Sequence, residues 1–162
     1  MQEVIDNAGA IRAATDEGIR ALTSALAYGG GAFAEAGWNP RHIEGADHFV
    51  FYALEYVTGR SYLHGQAVGL GILIASALQG NEPDRIRAVL DELAVPYTPE
   101  SMGIGWDDVR RALDALPEVI ERSHLWYTIA SARPATPRFF AAVRDWISDP
   151  SAPAWQDPER TG

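Results

Sequence analysis

The chain has 162 residues, 47% of them hydrophobic and none of them cysteine, with a net charge of −9. That length and apolar content suit one domain with a sizeable core and argue against global disorder. The missing thiols exclude disulfides, Fe–S clusters and thiolate zinc sites, so any metal must be held by imidazole and carboxylate, and an acidic surface that repels phosphate backbones argues against nucleic-acid binding.

The N-terminus, "MQEVIDNAGAIRAAT", is too polar for a signal peptide. The longest apolar run, "AVGLGILIASAL" over 67–78, has 12 residues and would not span a bilayer. The expectation is a soluble cytoplasmic protein with no membrane partner. Residues 3–14 and 17–36 read as helices, and in the second Ile19, Leu22, Leu26 and Ala27 recur at helical spacing. Within it, "YGGGAF" (28–33) lacks a preceding strand and matches neither glycine fingerprint of a nucleotide loop; close helix packing or a helix break is the better account. "GWNPRHIEGAD" (37–47) is a break. Asp47 is placed to cap a helix running to about Val57, which "TGRS" (58–61) closes.

A further helix follows His64. Pro83 and Asp84 open "DRIRAVLDEL", with Ile86, Val89, Leu90 and Leu93 on one side, and Gly105 and Trp106 lead into "DDVRRALDAL". "HLWYTIAS" (124–131) is the one strand candidate, and it is short. Pro137 begins "RFFAAVRDWI". After Asp149 the chain carries three prolines and little to bury, which predicts a mobile tail. The sum is an all-α helical bundle over 1–149 with a flexible C-terminal tail over 150–162.

The chemistry concentrates in 47–71. On a helix starting near Asp47, His48, Tyr52 and Glu55 fall at i, i+4 and i+7 and share one stripe. The other positions are apolar or aromatic, so this helix is expected to be buried on nearly all sides. A polar stripe there costs several kcal/mol unless its groups are paired, as for buried polar atoms in general. His64 opens the next helix, whose positive end disfavours the imidazolium form and leaves a lone pair available. Gly65, Gly69 and Gly71 weaken that helix by about 1 kcal/mol each relative to alanine. They make sense if another backbone or a ligand approaches closely. Spacing alone leaves two readings open: two core histidines, or two ligands of one metal ion.

"EGADHFVFYALEYVTGRSYLHGQAVGLG" (44–71) resembles the metal-binding signature of the dehydroquinate-synthase-like superfamily, which includes iron-type alcohol dehydrogenases, and within it the glycerol-1-phosphate dehydrogenase branch. The matching positions are Gly45, Asp47 and His48, Leu54 and Glu55, His64 and Gly65, then Val68, Gly69 and Gly71. "GIRALTSALAYGGGAFAEAG" (18–37) and "RSHLWYTIA" (122–130) are similar to flanking parts of the family. The resemblance implies the helical C-terminal domain of such enzymes, with His48 and His64 as ligands of a divalent ion, zinc before others, and Tyr52 near the substrate. It also implies that His124, Trp126 and Tyr127 line the same pocket; a packed aromatic cluster is the competing account.

This chain departs from the family in four ways. It has no α/β domain with a Gly-rich turn for NAD(P). It lacks the upstream Asp or Glu that is the third ligand, and two imidazoles alone make a weak zinc site; Asp6, Asp16 and Glu17 are candidate substitutes, although surface carboxylates are usually solvated. Tyr52 stands where relatives often have a second histidine, and Gln66 where Glu is frequent. His42 reads as a loop residue rather than a ligand. Arg133, Arg138 and Arg144 are available either to hold a phosphate or as ordinary surface charge.

Met1 opens a plausible helix, so a complete polypeptide is expected. These points favour half of a split NAD(P)-dependent dehydrogenase acting on a small polyol or polyol phosphate, with no catalytic residue assigned in this chain and no activity alone. A separate nucleotide-binding α/β subunit would carry NAD(P) and the third ligand, and an exposed apolar patch is expected beside His48 and the 28–37 segment. The alternatives are a non-catalytic helical remnant acting as a binding or regulatory subunit, and a fragment of a longer dehydrogenase.

Overall fold

The apolar run at 67–78 becomes the axis of the structure. It lies in α5 (His64–Gln79), in which every residue from Ala67 to Leu78 except Ile72 is buried. A computed structural model describes residues 2–160, the His42 side chain excepted. The expectation for His42 as a loop residue therefore concerns a side chain outside the described residues.

Preceding α5 are α1 (Gln2–Asp6), α2 (Ala8–Arg12), α3 (Asp16–Glu35) and α4 (Ala46–Thr58). Following it are α6 (Pro83–Glu92), α7 (Trp106–Arg122), α8 (Ile129–Ala132) and α9 (Pro137–Ser148). The fold is all-α, and among the described residues there is no strand. "HLWYTIAS" is instead an irregular connection into α8, which Thr128 caps by accepting the Ala130 N–H.

α4 packs against α5 on one side and α7 on the other. It contributes Phe49, Val50, Ala53 and Leu54, while α7 contributes Val109, Ala112, Leu113, Leu116 and Val119 at helical spacing. Burying each of the Phe, Val and Leu side chains among these stabilises by about 1.5–3 kcal/mol. α7 also runs through Pro117 to Arg122, beyond the end expected from "DDVRRALDAL". Pro117 lies on the exposed face of α7, and Val119 beyond it is buried, so the helix continues past the proline.

α5 approaches α4 through backbone. A Cβ on Gly71 would lie 2.2 Å from the Asp47 carbonyl oxygen, and one on Gly69 would lie 3.3 Å from Val95 and Tyr97 side-chain atoms. At Gly65 nothing lies within 4 Å. Gly71 thus meets another backbone, Gly69 a loop, and Gly65 open space. The nearly all-round burial expected for α4 is limited by Tyr56, which is exposed and donates its hydroxyl to Glu118.

Residues 3–14 form two short helices, α1 and α2, separated at Asn7, whose side chain donates to the Glu3 carbonyl. α3 runs unbroken through "YGGGAF", and nothing lies within 4 Å of a Cβ placed at Gly29, Gly30 or Gly31. Neither a break nor close packing within the described residues accounts for these glycines.

Residues 150–160 find more to bury than their prolines suggest. The Trp155 ring packs on Phe139 (5.7 Å) and Trp146 (5.4 Å), and the Trp155 backbone N–H donates to the Asp84 carboxylate at 3.0 Å. Arg133 donates to the Leu78 carbonyl and pairs with Asp157 at 2.6 Å and Glu159 at 3.2 Å. Burial favours the neutral acid, but the Arg133 hydrogen bond is the larger influence and holds the Asp157 carboxyl below its ordinary range.

Candidate metal centre

The break at 37–45 ends in Gly45, the N-cap of α4. Asp47 falls inside the first turn rather than at the cap expected from sequence. Its carboxylate turns back nonetheless: Oδ1 accepts the Gly45 N–H at 3.0 Å, and Oδ2 lies 2.8 Å from His48 Nδ1. The positive end of α4 adds to the favourable setting for that negative charge.

His48 and His64 come together. Their ring centroids lie 5.0 Å apart at an interplanar angle of 50°. The His48 side chain is 12% exposed, whereas His64, at the first position of α5, is exposed beside Leu63 and the open space at Gly65. Phe51 packs edge-on against His64 at 5.1 Å. One imidazole is therefore seated in protein and the other stands at the rim.

Burial works against the charged form of His48, but Asp47, bonded to Nδ1, and Glu44 outweigh it and raise the pKa above the ordinary histidine value. The partner shifts consistently. Burial pushes the Asp47 carboxyl upward, yet hydrogen bonds from His48 and the backbone, with the His48 charge, bring it below its usual range.

Tyr52, one turn along α4, places its ring 6.4 Å from that of His48 and donates its hydroxyl to Glu44 Oε2 at 2.9 Å. Burial and then Glu44 push its pKa up to about 12. At neutral pH it is a hydrogen-bond donor and not a base. Glu55 accepts the Tyr62 N–H at 3.3 Å and so organises the turn between α4 and α5. The polar stripe on α4 is thus paired throughout: His48 with Asp47, Tyr52 with Glu44, and Glu55 with the Tyr62 backbone.

The donor set suits part of a divalent-metal site. Two imidazoles from adjacent helix ends are near one another, and one has its second nitrogen engaged by a carboxylate, the usual outer partner of a ligating histidine. Among the described residues no group of three or more His, Asp or Glu is arranged to hold a metal. Asp6, Asp16 and Glu17 therefore do not complete the set.

The remaining candidates divide. Trp126 packs on Phe49 at 5.4 Å and takes Arg41 over its ring at 5.9 Å, a packed cluster. Tyr127 is 78% exposed and His124 is exposed at a φ of 52°. Arg133 is committed to Leu78, Asp157 and Glu159, and Arg144 pairs with Asp145, so neither stands ready for a phosphate. The sequence reading missed Asp47 and Glu44 as partners of the site. The available signal was a carboxylate adjoining a candidate ligand, with glycine two positions before it.

Comparison with known proteins places the chain beside one group. It is 35% identical over 120 residues to glycerol-1-phosphate dehydrogenase [NAD(P)+] of Thermofilum pendens, covering 74% of this chain and 34% of that protein. It is 36% identical over 110 residues to the same enzyme of Pyrococcus horikoshii (68% and 32%), and 33% over 129 residues to that of Korarchaeum cryptofilum (77% and 40%). No family model matches. The matched part spans about a third of the length of the first of these relatives.

Proposed function

We propose, for a chain similar over 68–77% of its length to the glycerol-1-phosphate dehydrogenases, a role as the metal-binding part of an NAD(P)-dependent dehydrogenase acting on a small polyol or polyol phosphate. The nucleotide-binding part and the remaining metal ligand come from a separate α/β polypeptide. The observation that carries this reading is the approach of the His48 and His64 rings to 5.0 Å, with His48 Nδ1 held by Asp47.

His48 and His64 would hold the ion, zinc before other divalent metals, and a metal bound there supplies Lewis-acid polarisation of a hydroxyl or carbonyl oxygen. The hydride acceptor or donor is NAD(P), carried mainly by the partner. On this chain, Asp47 orients His48 and Phe51 braces the His64 ring. Tyr52 presents a phenol whose proton is directed at Glu44, so its oxygen is left to accept a hydrogen bond from a substrate hydroxyl and does not abstract a proton. Exposed Tyr28 at the start of the 28–37 segment, Trp38 just after it, and Leu63 beside His64 support an uncovered working face.

The test is metal content and dehydrogenase activity of the full chain, His48→Ala and His64→Ala, each with and without a co-expressed nucleotide-binding chain. The expected result is tight metal and activity only with the partner and both histidines. Equal trace metal in all three proteins under both conditions sinks the assignment. Metal and partner binding without turnover selects the regulatory-subunit reading, which the substitution of Tyr52 for the expected histidine favours.

A further inference from the structure

We propose that Asp47 is a positioning residue that sets the tautomer of His48, leaving Nε2 as the only nitrogen able to ligate, and that Gly45 and Gly71 are there to seat it. The inference rests on the reading of His48 as a metal ligand, but its central claim concerns the protein alone.

Three contacts converge on Asp47. Its Oδ2 lies 2.8 Å from His48 Nδ1, and an ionised carboxylate can only accept, so Nδ1 carries the hydrogen. Its Oδ1 takes the Gly45 N–H at 3.0 Å, which locks the carboxylate in this rotamer. A Cβ at Gly45 would lie 2.9 Å from that same oxygen, so any side chain there would push the carboxylate away from where it folds back. The backbone is pinned as well, since any side chain at Gly71 would strike the Asp47 carbonyl at 2.2 Å. Two glycines of the signature thus serve one aspartate, Gly45 at its side chain and Gly71 at its backbone. The carboxylate is equipped to hold an imidazole, whereas capping alone would need only the Gly45 contact.

Asp47→Asn separates these roles. The amide oxygen can still accept the Gly45 N–H, but the NH2 group then faces Nδ1 and forces the hydrogen to Nε2. Nitrogen-15 imidazole NMR of the full, metal-free chain at alkaline pH reads the tautomer directly. Wild type is expected to show the Nδ1–H form at His48, Asp47→Asn the Nε2–H form, and Glu44→Gln the wild-type form, because Glu44 bonds Tyr52 and not the ring. Gly45→Ala, which displaces the carboxylate without removing charge, is expected to give a mixture.

Titration with Co2+ in the presence of the co-expressed nucleotide-binding chain should show affinity about 10–100-fold weaker in Asp47→Asn. An Nε2–H ring in wild type, or an unchanged tautomer in Asp47→Asn, overturns the proposal. If the tautomer switches as expected while His48→Ala and His64→Ala leave Co2+ binding unchanged, the positioning role stands and the metal assignment falls.

Discussion

Helices α3 and α5 meet opposite fates. α5 buries nearly its whole length between α4 and its other neighbours, and the site hangs from its first residue. α3, though longer, buries only Gly18 and Ala21 and leaves Ile19, Leu22 and Leu26 exposed on one stripe. Both patterns are helical in sequence. What separates them is whether the described residues supply a surface to meet the apolar face: for α5 they do, and for α3 beyond Ala21 they do not. An amphipathic pattern specifies a face to be covered and says nothing about which element covers it.

The largest test of that contrast is Gly71→Ala. The new methyl meets the Asp47 carbonyl at 2.2 Å, and because backbone and not a flexible side chain stands in the way, the loss should exceed the roughly 1–3 kcal/mol typical of overpacking. Chemical denaturation should show the midpoint collapse; an unchanged midpoint would mean α4 and α5 do not cross as described. Next comes a matched pair. Leu54→Ala in the α4 core should lose about 2–5 kcal/mol, and Leu26→Ala on α3 should stay within about 0.5 kcal/mol. Equal losses in urea unfolding would show that α3 is covered after all.

A smaller effect tests the C-terminal segment. Asp157 has a depressed carboxyl pKa, so its contribution is present above the unfolded value of about 3.9 and disappears as pH falls through the folded one. Asp157→Asn should therefore lower the melting temperature near neutrality, with wild type and variant converging below about pH 4. A gap that persists in acid would assign the effect to packing and not to the Arg133 bridge. Smallest of all, Gly30→Ala should stabilise the isolated chain by about 0.4–1 kcal/mol through lost unfolded-state entropy, since nothing crowds that position. If the same substitution weakens association with a co-expressed nucleotide-binding chain, the glycines face a partner.

Much of the fold was legible because capping and breaking residues act locally. Thr136 before Pro137, Pro83 at the start of α6 and the left-handed Gly59 after α4 each end or begin a helix through contacts a few residues away. The His48–His64 pairing was legible only through the signature that resembles a known family. The Tyr52–Glu44 bond was not legible, because it depends on how the 37–45 break folds back over α4. Nor was the docking of Trp155, which needs Asp84 on α6 and Phe139 on α9 brought together first.

The sequence by itself determined the helical class, most helix boundaries and the two imidazoles at the ends of adjacent helices, because periodicity and capping are short-range properties of the chain. Only the tertiary structure decided that Gly71 lets α5 close onto the Asp47 backbone, that Asp47 grips His48 and does not merely cap α4, and that α3 is left without a cover. The first and last of those outcomes depend on distances between segments far apart in the chain, the second on which rotamer Asp47 adopts, and a linear pattern carries neither.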